Sequence, residues 1–167
     1  MEKKKDALYR AAFEYEKLNG GCAQCTMAAI NDYVIPISDE VFTSASALAA
    51  GIASTGKMCC ACVGGILVLG SMLGRDYENF STELGAMKKF DTNELAKELV
   101  GRFEEEYGSC SCRDIQERLL GKGFDMTIAA EREEFLAMGG HGDKGCPTVT
   151  GNAAVWFYEL LEKNNLV

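Results

Sequence analysis

From Cys59 to Leu73 the chain reads C-C-A-C-V-G-G-I-L-V-L-G-S-M-L, without one charged side chain. A segment that is apolar on every side is stable as a helix only if it is buried on every side, so the remaining elements have to pack around it. Gly64, Gly65 and Gly70 lower its intrinsic helicity, but they also remove side-chain bulk where neighbouring helices can approach closely. The run is too short and too glycine-rich for a membrane span, which needs about 20 predominantly apolar residues. It reads as the buried central helix of a soluble core.

The flanking segments supply the covering helices. Leu8, Ala11, Ala12, Tyr15 and Leu18 recur at three- and four-residue spacings with charges between them, which predicts an amphipathic helix that stops at Asn19-Gly20-Gly21. A second helix starts at Cys22 and is broken at Ile35-Pro36-Ile37. Ser38, followed by Asp39 and Glu40, caps a third that is expected to run through the alanines to about Gly51. Gly51 to Lys57 matches most of a phosphate-binding loop. Met58, however, takes the place of the required hydroxyl, and the preceding segment is helical rather than a strand, so the stretch reads as an interhelical turn.

Residues 75–90 are polar and read as largely irregular. Asp91 or Thr92 then caps a helix ending at Tyr107-Gly108. Ser111 with Asp114 approximates a capping box for a short helix from Cys112 that ends before Gly121. A helix over Thr127–Met138 and a last one with Pro147 near its start complete the chain. No alternating strand pattern and no repeat occurs. The expected fold is all-α, a single-domain bundle over 1–167 of about six or seven helices.

With 167 residues, 47% of them hydrophobic, the chain can build one full core without staples. A net charge of -8 argues against a nucleic-acid or anionic-membrane surface. The start M-E-K-K-K-D leads into an amphipathic pattern and not into an apolar targeting segment, so a cytoplasmic location is expected. In a reducing compartment eight cysteines point to metal binding, reactive thiols or redox chemistry, rather than to structural disulfides.

Cys22, Cys59, Cys112 and Cys146 come from four distant segments, and each falls at an expected helix start. Unpaired backbone amides and the helix dipole favour negative charge there, lower a thiol's pKa and suit thiolates or an anionic cluster. Cys25 follows Cys22 by one turn and Cys62 follows Cys59 by one turn. These two C-x-x-C pairs could offer soft ligands for zinc or an iron-sulfur cluster, or act as dithiol switches. Cys60, rotated about 100° from Cys59 on a helix, is expected to be a bystander. Cys110 stands two residues before Cys112. His141, the one histidine, lies in the loop G-G-H-G-D-K-G beside Cys146, as a candidate ligand or proton donor or as a merely solvated side chain. The competing reading of the thiols is that cysteine here is only a small buried hydrophobe.

Several landmarks carry a family resemblance. Cys59 to Gly70 resembles the cysteine-glycine-alanine segment and following apolar helix of the redox-active proteins named for the pattern C_GCAxxG_C_C. G-C-A-Q at Gly21–Gln24 resembles that family's first cysteine site, S-C-R-D-I at Ser111–Ile115 its third, and C-P-T-V at Cys146–Val149 its last. The likeness spans nearly the whole chain. It implies a small helical protein, related to a domain of split-Soret cytochromes, whose essential cysteines carry over to Cys22, Cys59, Cys112 and Cys146. Cys60 is then read in the place of the motif's glycine, with Cys25, Cys62 and Cys110 as extras.

The expectation that follows is an electron-transfer or thiol-redox protein. Its four helix-start cysteines converge, with Cys25 and Cys62 as auxiliary ligands, around an iron-sulfur cluster or, alternatively, zinc. Haem is not expected, because no C-x-x-C-H occurs. The partner is a redox protein or a small-molecule electron donor or acceptor, and a homodimer is compatible with this reading. The alternatives are a cofactor-free thiol-disulfide oxidoreductase and a non-catalytic zinc-binding or adaptor module.

Overall fold

The computed structural model describes residues 2–167. Among them are eight helices and no strand: α1 (Glu2–Asn19), α2 (Cys22–Tyr33), α3 (Asp39–Ser44), α4 (Cys60–Leu73), α5 (Glu83–Tyr107), α6 (Cys112–Leu120), α7 (Ala129–Ala137) and α8 (Cys146–Lys163). The all-α expectation holds. No helix among the described residues is long and apolar enough to cross a membrane.

Helix α4 is the charge-free run and packs against α2, α5 and α8. Its two central glycines set those distances. A Cβ on Gly64 would lie 2.6 Å from the Ala23 carbonyl oxygen, so α2 and α4 meet backbone to backbone. A Cβ on Gly65 would lie 2.8 Å from Leu99 of α5 and 3.5 Å from Phe157 of α8. Val68, Leu69, Leu99, Phe103, Phe157 and Leu161 are buried around this axis, each side chain contributing about 1.5–3 kcal/mol. Helix α1 closes the far side on α8 and α2, with Leu8 and Ala12 buried at a spacing of four.

Two helix boundaries differ from expectation. Helix α3 keeps its Ser38 cap, whose side chain accepts from the Val41 amide, but it ends at Ser44 and not near Gly51. Beyond it Ala50, Gly51, Ile52, Ala53 and Ser54 all have φ between +48° and +77°. This left-handed turn costs its non-glycine residues about 1–2 kcal/mol each. Bonds from Gly56 N to Ala50 O and from Lys57 N to Gly51 O hold it closed. Alanine-rich composition lost to this locally bonded turn. Helix α5 is capped nine or ten residues before the expected Asp91 or Thr92, because Thr82 is a working N-cap whose hydroxyl accepts from Gly85 N at 3.0 Å. The first turns of α5 carry Leu84, Met87 and Phe90 at three-residue spacing, but leave all three exposed.

A short tertiary join matters for the site. Met58 and Ser111 form an isolated antiparallel bridge, flanked by Cys59 N to Cys110 O and Cys112 N to Lys57 O, both 2.8 Å. It ties the entrance of α4 to the entrance of α6.

Candidate functional site

Local signals put four cysteines at helix entrances. Gly21, left-handed at φ 85°, turns the chain so that Cys22 opens α2. Cys59 is the extended N-cap of α4, and Cys60 is that helix's first residue. Ser111 caps α6 through the Asp114 amide, which makes Cys112 its first residue. Gly145 precedes Cys146, with Pro147 next in the first turn of α8.

The fold brings these entrances together. Cys22, Cys59, Cys60, Cys112 and Cys146 line one small cavity of about 20 Å³, walled by apolar side chains such as Ile115, Leu119 and Val149. That is room for about one water. Cys60, expected to point away, is therefore part of the site. The rotation of 100° per residue applies only inside a helix, and Cys59 stands outside α4 as its extended cap. For the same reason the one-turn spacing of Cys59 and Cys62 does not make them neighbours on a face. Cys62 is fully buried and lies outside the cavity lining. Cys25 also lies outside the lining, where its thiol donates to the Gly20 carbonyl at 3.0 Å.

Burial, and not the helix dipole, decides the protonation of the cavity thiols. The Cys59 pKa is pushed well up, by burial first and then by Cys112 and Cys146, although the amides of Cys62 and Ala61 pull the other way. Cys112 is raised by burial and by Cys146. Cys22 is raised by its contact with the Cys146 sulfur, then by burial and by Glu16. The expectation that helix starts lower these pKa values is overturned, because desolvation disfavours the thiolate more than partial charges at a helix end favour it. Cys110 is the exception. The Cys62 thiol acts to hold it below the ordinary cysteine value, against burial and the Glu104 carboxylate.

Cys60 has particular support from the left-handed turn. Ile52 N donates to its sulfur at 3.1 Å, and the Gly51 and Ile52 amides both offset the rise that burial imposes on it. Strain collected at residues 50–54 thus delivers backbone donors to a cavity thiol.

Two further polar groups face the thiols, and the sequence reading passed over both. Glu16 is fully buried. Its Oε1 accepts from Cys22 Sγ at 3.4 Å and lies 3.4 Å from His141 Nδ1, while Oε2 has no hydrogen-bond partner among the described residues. The sequence signal existed, since Glu16 continues the four-residue spacing of the buried Leu8 and Ala12. Buried Gln116 donates to Cys112 Sγ at 3.7 Å and accepts from Phe124 N at 3.0 Å, which fixes its amide. His141 packs edge-on to Phe135 and against Glu16.

A soft donor set of five cysteines has the chemistry for zinc or an iron-sulfur centre. The room does not match a polynuclear cluster, because the cavity holds about one water. Among the described residues no three histidine, cysteine, aspartate or glutamate side chains stand together as a ready-made ion site. A cluster would require the helix entrances to move apart.

A family model described as "Putative redox-active protein (C_GCAxxG_C_C)" matches residues 21–160. No curated protein and no solved structure matches the chain significantly. Set letter for letter on the sequence, G-C-A-x-x-G falls on Cys59-Cys60-Ala61-Cys62-Val63-Gly64. The pattern's second cysteine is therefore Cys60, and Cys59 stands at its first glycine, which reverses the sequence assignment. The pattern's closing glycine is Gly64, where α4 touches the backbone of α2.

Proposed function

We propose, from the premise that this chain belongs to the C_GCAxxG_C_C family of redox-active proteins, that its cysteine cavity is a thiol-disulfide centre in which Cys22 and Cys146 are the exchanging pair. The observation that carries the reading is that these two thiols, at the entrances of α2 and α8, line the same small cavity and are both only half-buried. The other cavity thiols are buried and kept protonated by burial. Access therefore favours Cys22 and Cys146 over Cys59, Cys60 and Cys112.

The chemistry balances as follows. One thiol of the pair loses its proton to solvent and attacks the disulfide of a partner protein or small molecule, releasing one partner thiolate. The second thiol attacks the mixed disulfide and releases the other. The Cys22–Cys146 bond forms, the partner's sulfur-sulfur bond breaks, and two electrons and two protons pass to the partner's thiols. The neighbouring Cys146 side chain, burial and then the Glu16 carboxylate 3.4 Å away keep the resting Cys22 protonated.

Equilibration of the full chain in a graded series of oxidised and reduced dithiothreitol, followed by peptide mapping, tests this. A Cys22–Cys146 disulfide with a defined midpoint is expected, and it should be absent from Cys22→Ser and Cys146→Ser. A fully oxidised sample whose Cys22 and Cys146 remain thiols overturns the reading.

The number of soft donors at the cavity favours a second reading, a metal or iron-sulfur centre for electron transfer. Anaerobic purification with absorption spectra and iron, sulfide and zinc analysis separates the two. Stoichiometric iron and sulfide would support the cluster, and one redox-silent zinc per chain a structural ion.

A further inference from the structure

The first half of α5 buries very little of itself. From Glu83 to Glu98 only Gly85 is buried, and the helix's other buried side chains, Leu99, Phe103 and Tyr107, all lie beyond that stretch. Helical segments of this length are marginal in water and draw most of their stability from packing an apolar face. Such a face exists here, and among the described residues nothing covers it. Leu84, Met87 and Phe90 follow one another at three-residue spacing, and Tyr77 and Phe80 precede them in the turn that enters the helix. Each is more than half exposed, from 52% at Leu84 to 94% at Tyr77. The turn is braced against the helix. Lys88 Nζ donates to Asp76 Oδ2 at 2.8 Å, the Thr82 hydroxyl donates to Asn79 O at 3.0 Å, and a Cβ on Gly85 would run into that same carbonyl. The five apolar side chains thus stand on one fixed unit, none of them in the lining of the cysteine cavity.

We infer that this face is the interface of a homodimer, in which two copies pack their 77–90 segments against each other about a two-fold axis. The area carries the choice of occupant. At roughly 200 Å² of full surface for a side chain of this size, the exposed fractions leave roughly 650 Å² on each copy. A monomer rarely keeps so large an apolar patch in water. Two copies closing on it bury roughly 1,300 Å², within the class of specific interfaces, and still clear the roughly 1,000 Å² such an interface needs if a fifth of it stays wet. The stripe is also complementary to itself. Met87, an adaptable side chain, lies midway between Leu84 and Phe90, so an antiparallel pairing sets Leu84 of each copy against Phe90 of the other with Met87 on the axis. Two of the cations near the face are already engaged within the chain: Arg75 lies over the Phe80 ring and donates to the Phe80 carbonyl, and Lys88 is paired with Asp76. Exposed Glu78, Glu83 and Asp91 then outweigh Lys89 on the rim. The antiparallel pairing brings Glu83 towards Asp91, so apolar burial holds the dimer against a mild like-charge repulsion that salt screens.

Sedimentation equilibrium of the full chain tests this, with a phosphine reductant in excess so that no disulfide joins two chains. The mass should rise to that of two chains with a Kd of about 10 µM or tighter, and tighter still as salt is raised. Met87→Glu, which sets two carboxylates on the axis, should weaken association at least about tenfold. Leu136→Glu, on α7 and exposed to the same 58% as Met87, should leave it unchanged. Circular dichroism checks that each variant is folded, and Leu84→Glu takes the place of Met87→Glu if that variant is not. Folded protein that stays a single chain at about 100 µM overturns the dimer and leaves the face to a different partner. Association that survives both Met87→Glu and Leu84→Glu, or that Leu136→Glu abolishes equally, overturns the assigned face. Association that salt loosens overturns the apolar contact in favour of charge pairing. None of these readouts depends on the thiol chemistry of the cavity, so either reading can fail without the other.

Discussion

The close approach of α2 and α4 should make Gly64→Ala destabilising where Gly70→Ala is not. Both glycines lie in α4, so both substitutions gain about 1 kcal/mol of helix propensity. They differ in what the new methyl meets. At Gly64 it would lie 2.6 Å from Ala23 O and 3.0 Å from Ala23 Cα, backbone atoms that cannot rotate away, whereas at Gly70 nothing lies within 4 Å. Inserting a methyl into such a contact costs about 1–3 kcal/mol. Gly70→Ala is therefore expected to stabilise by about 0.5–1 kcal/mol, and Gly64→Ala to cancel its propensity gain and lose up to about 2 kcal/mol. The difference between the variants isolates the contact term. With a urea slope of about 2 kcal/mol/M it separates the two midpoints by about 1 M. Urea unfolding of the reduced protein, followed by the fluorescence of Trp156, measures it. Midpoints within about 0.2 M of each other would refute the backbone contact, and with it the idea that Gly64 sets the distance between Cys22 on α2 and Cys60 on α4.

Two other outcomes follow from the site. Glu16→Gln removes the carboxylate charge that helps to raise the Cys22 pKa, so alkylation of Cys22 by iodoacetamide at pH 8 should speed up, read by peptide mass spectrometry; slower labelling would mean that the carboxylate takes the thiol proton instead. The buried Cys59 and Cys112 have pKa values raised in the folded state, so the unfolded chain binds fewer protons above about pH 8.5 and stability falls as pH rises from there. The loss should be roughly 1 kcal/mol per pH unit for each thiol, and Cys59→Ala should flatten the alkaline limb of a pH series of urea midpoints.

Periodicity and caps made much of the fold legible. Ser38, Ser111, Gly108 and Gly121 mark helix ends through local hydrogen bonds or a left-handed φ, which depend on residues within one turn. The starts of α2, α6 and α8 at Cys22, Cys112 and Cys146 were legible for the same reason. The early start of α5 was passed over, although Thr82 caps it and Leu84, Met87 and Phe90 recur at three-residue spacing, because the segment is otherwise polar and those three side chains stay exposed.

What the sequence determined by itself was the all-α class, the burial of the charge-free run and the placing of thiols at helix entrances, because each depends on side chains within a few residues of one another. Tertiary structure decided which thiols meet. Cys59 as an extended cap breaks the helical phase, so Cys60 enters the cavity while Cys62 stays outside it. It also decided the protonation of those thiols. A helix start is a local property that favours the thiolate, but burial depends on everything packed over the start, and here burial dominates.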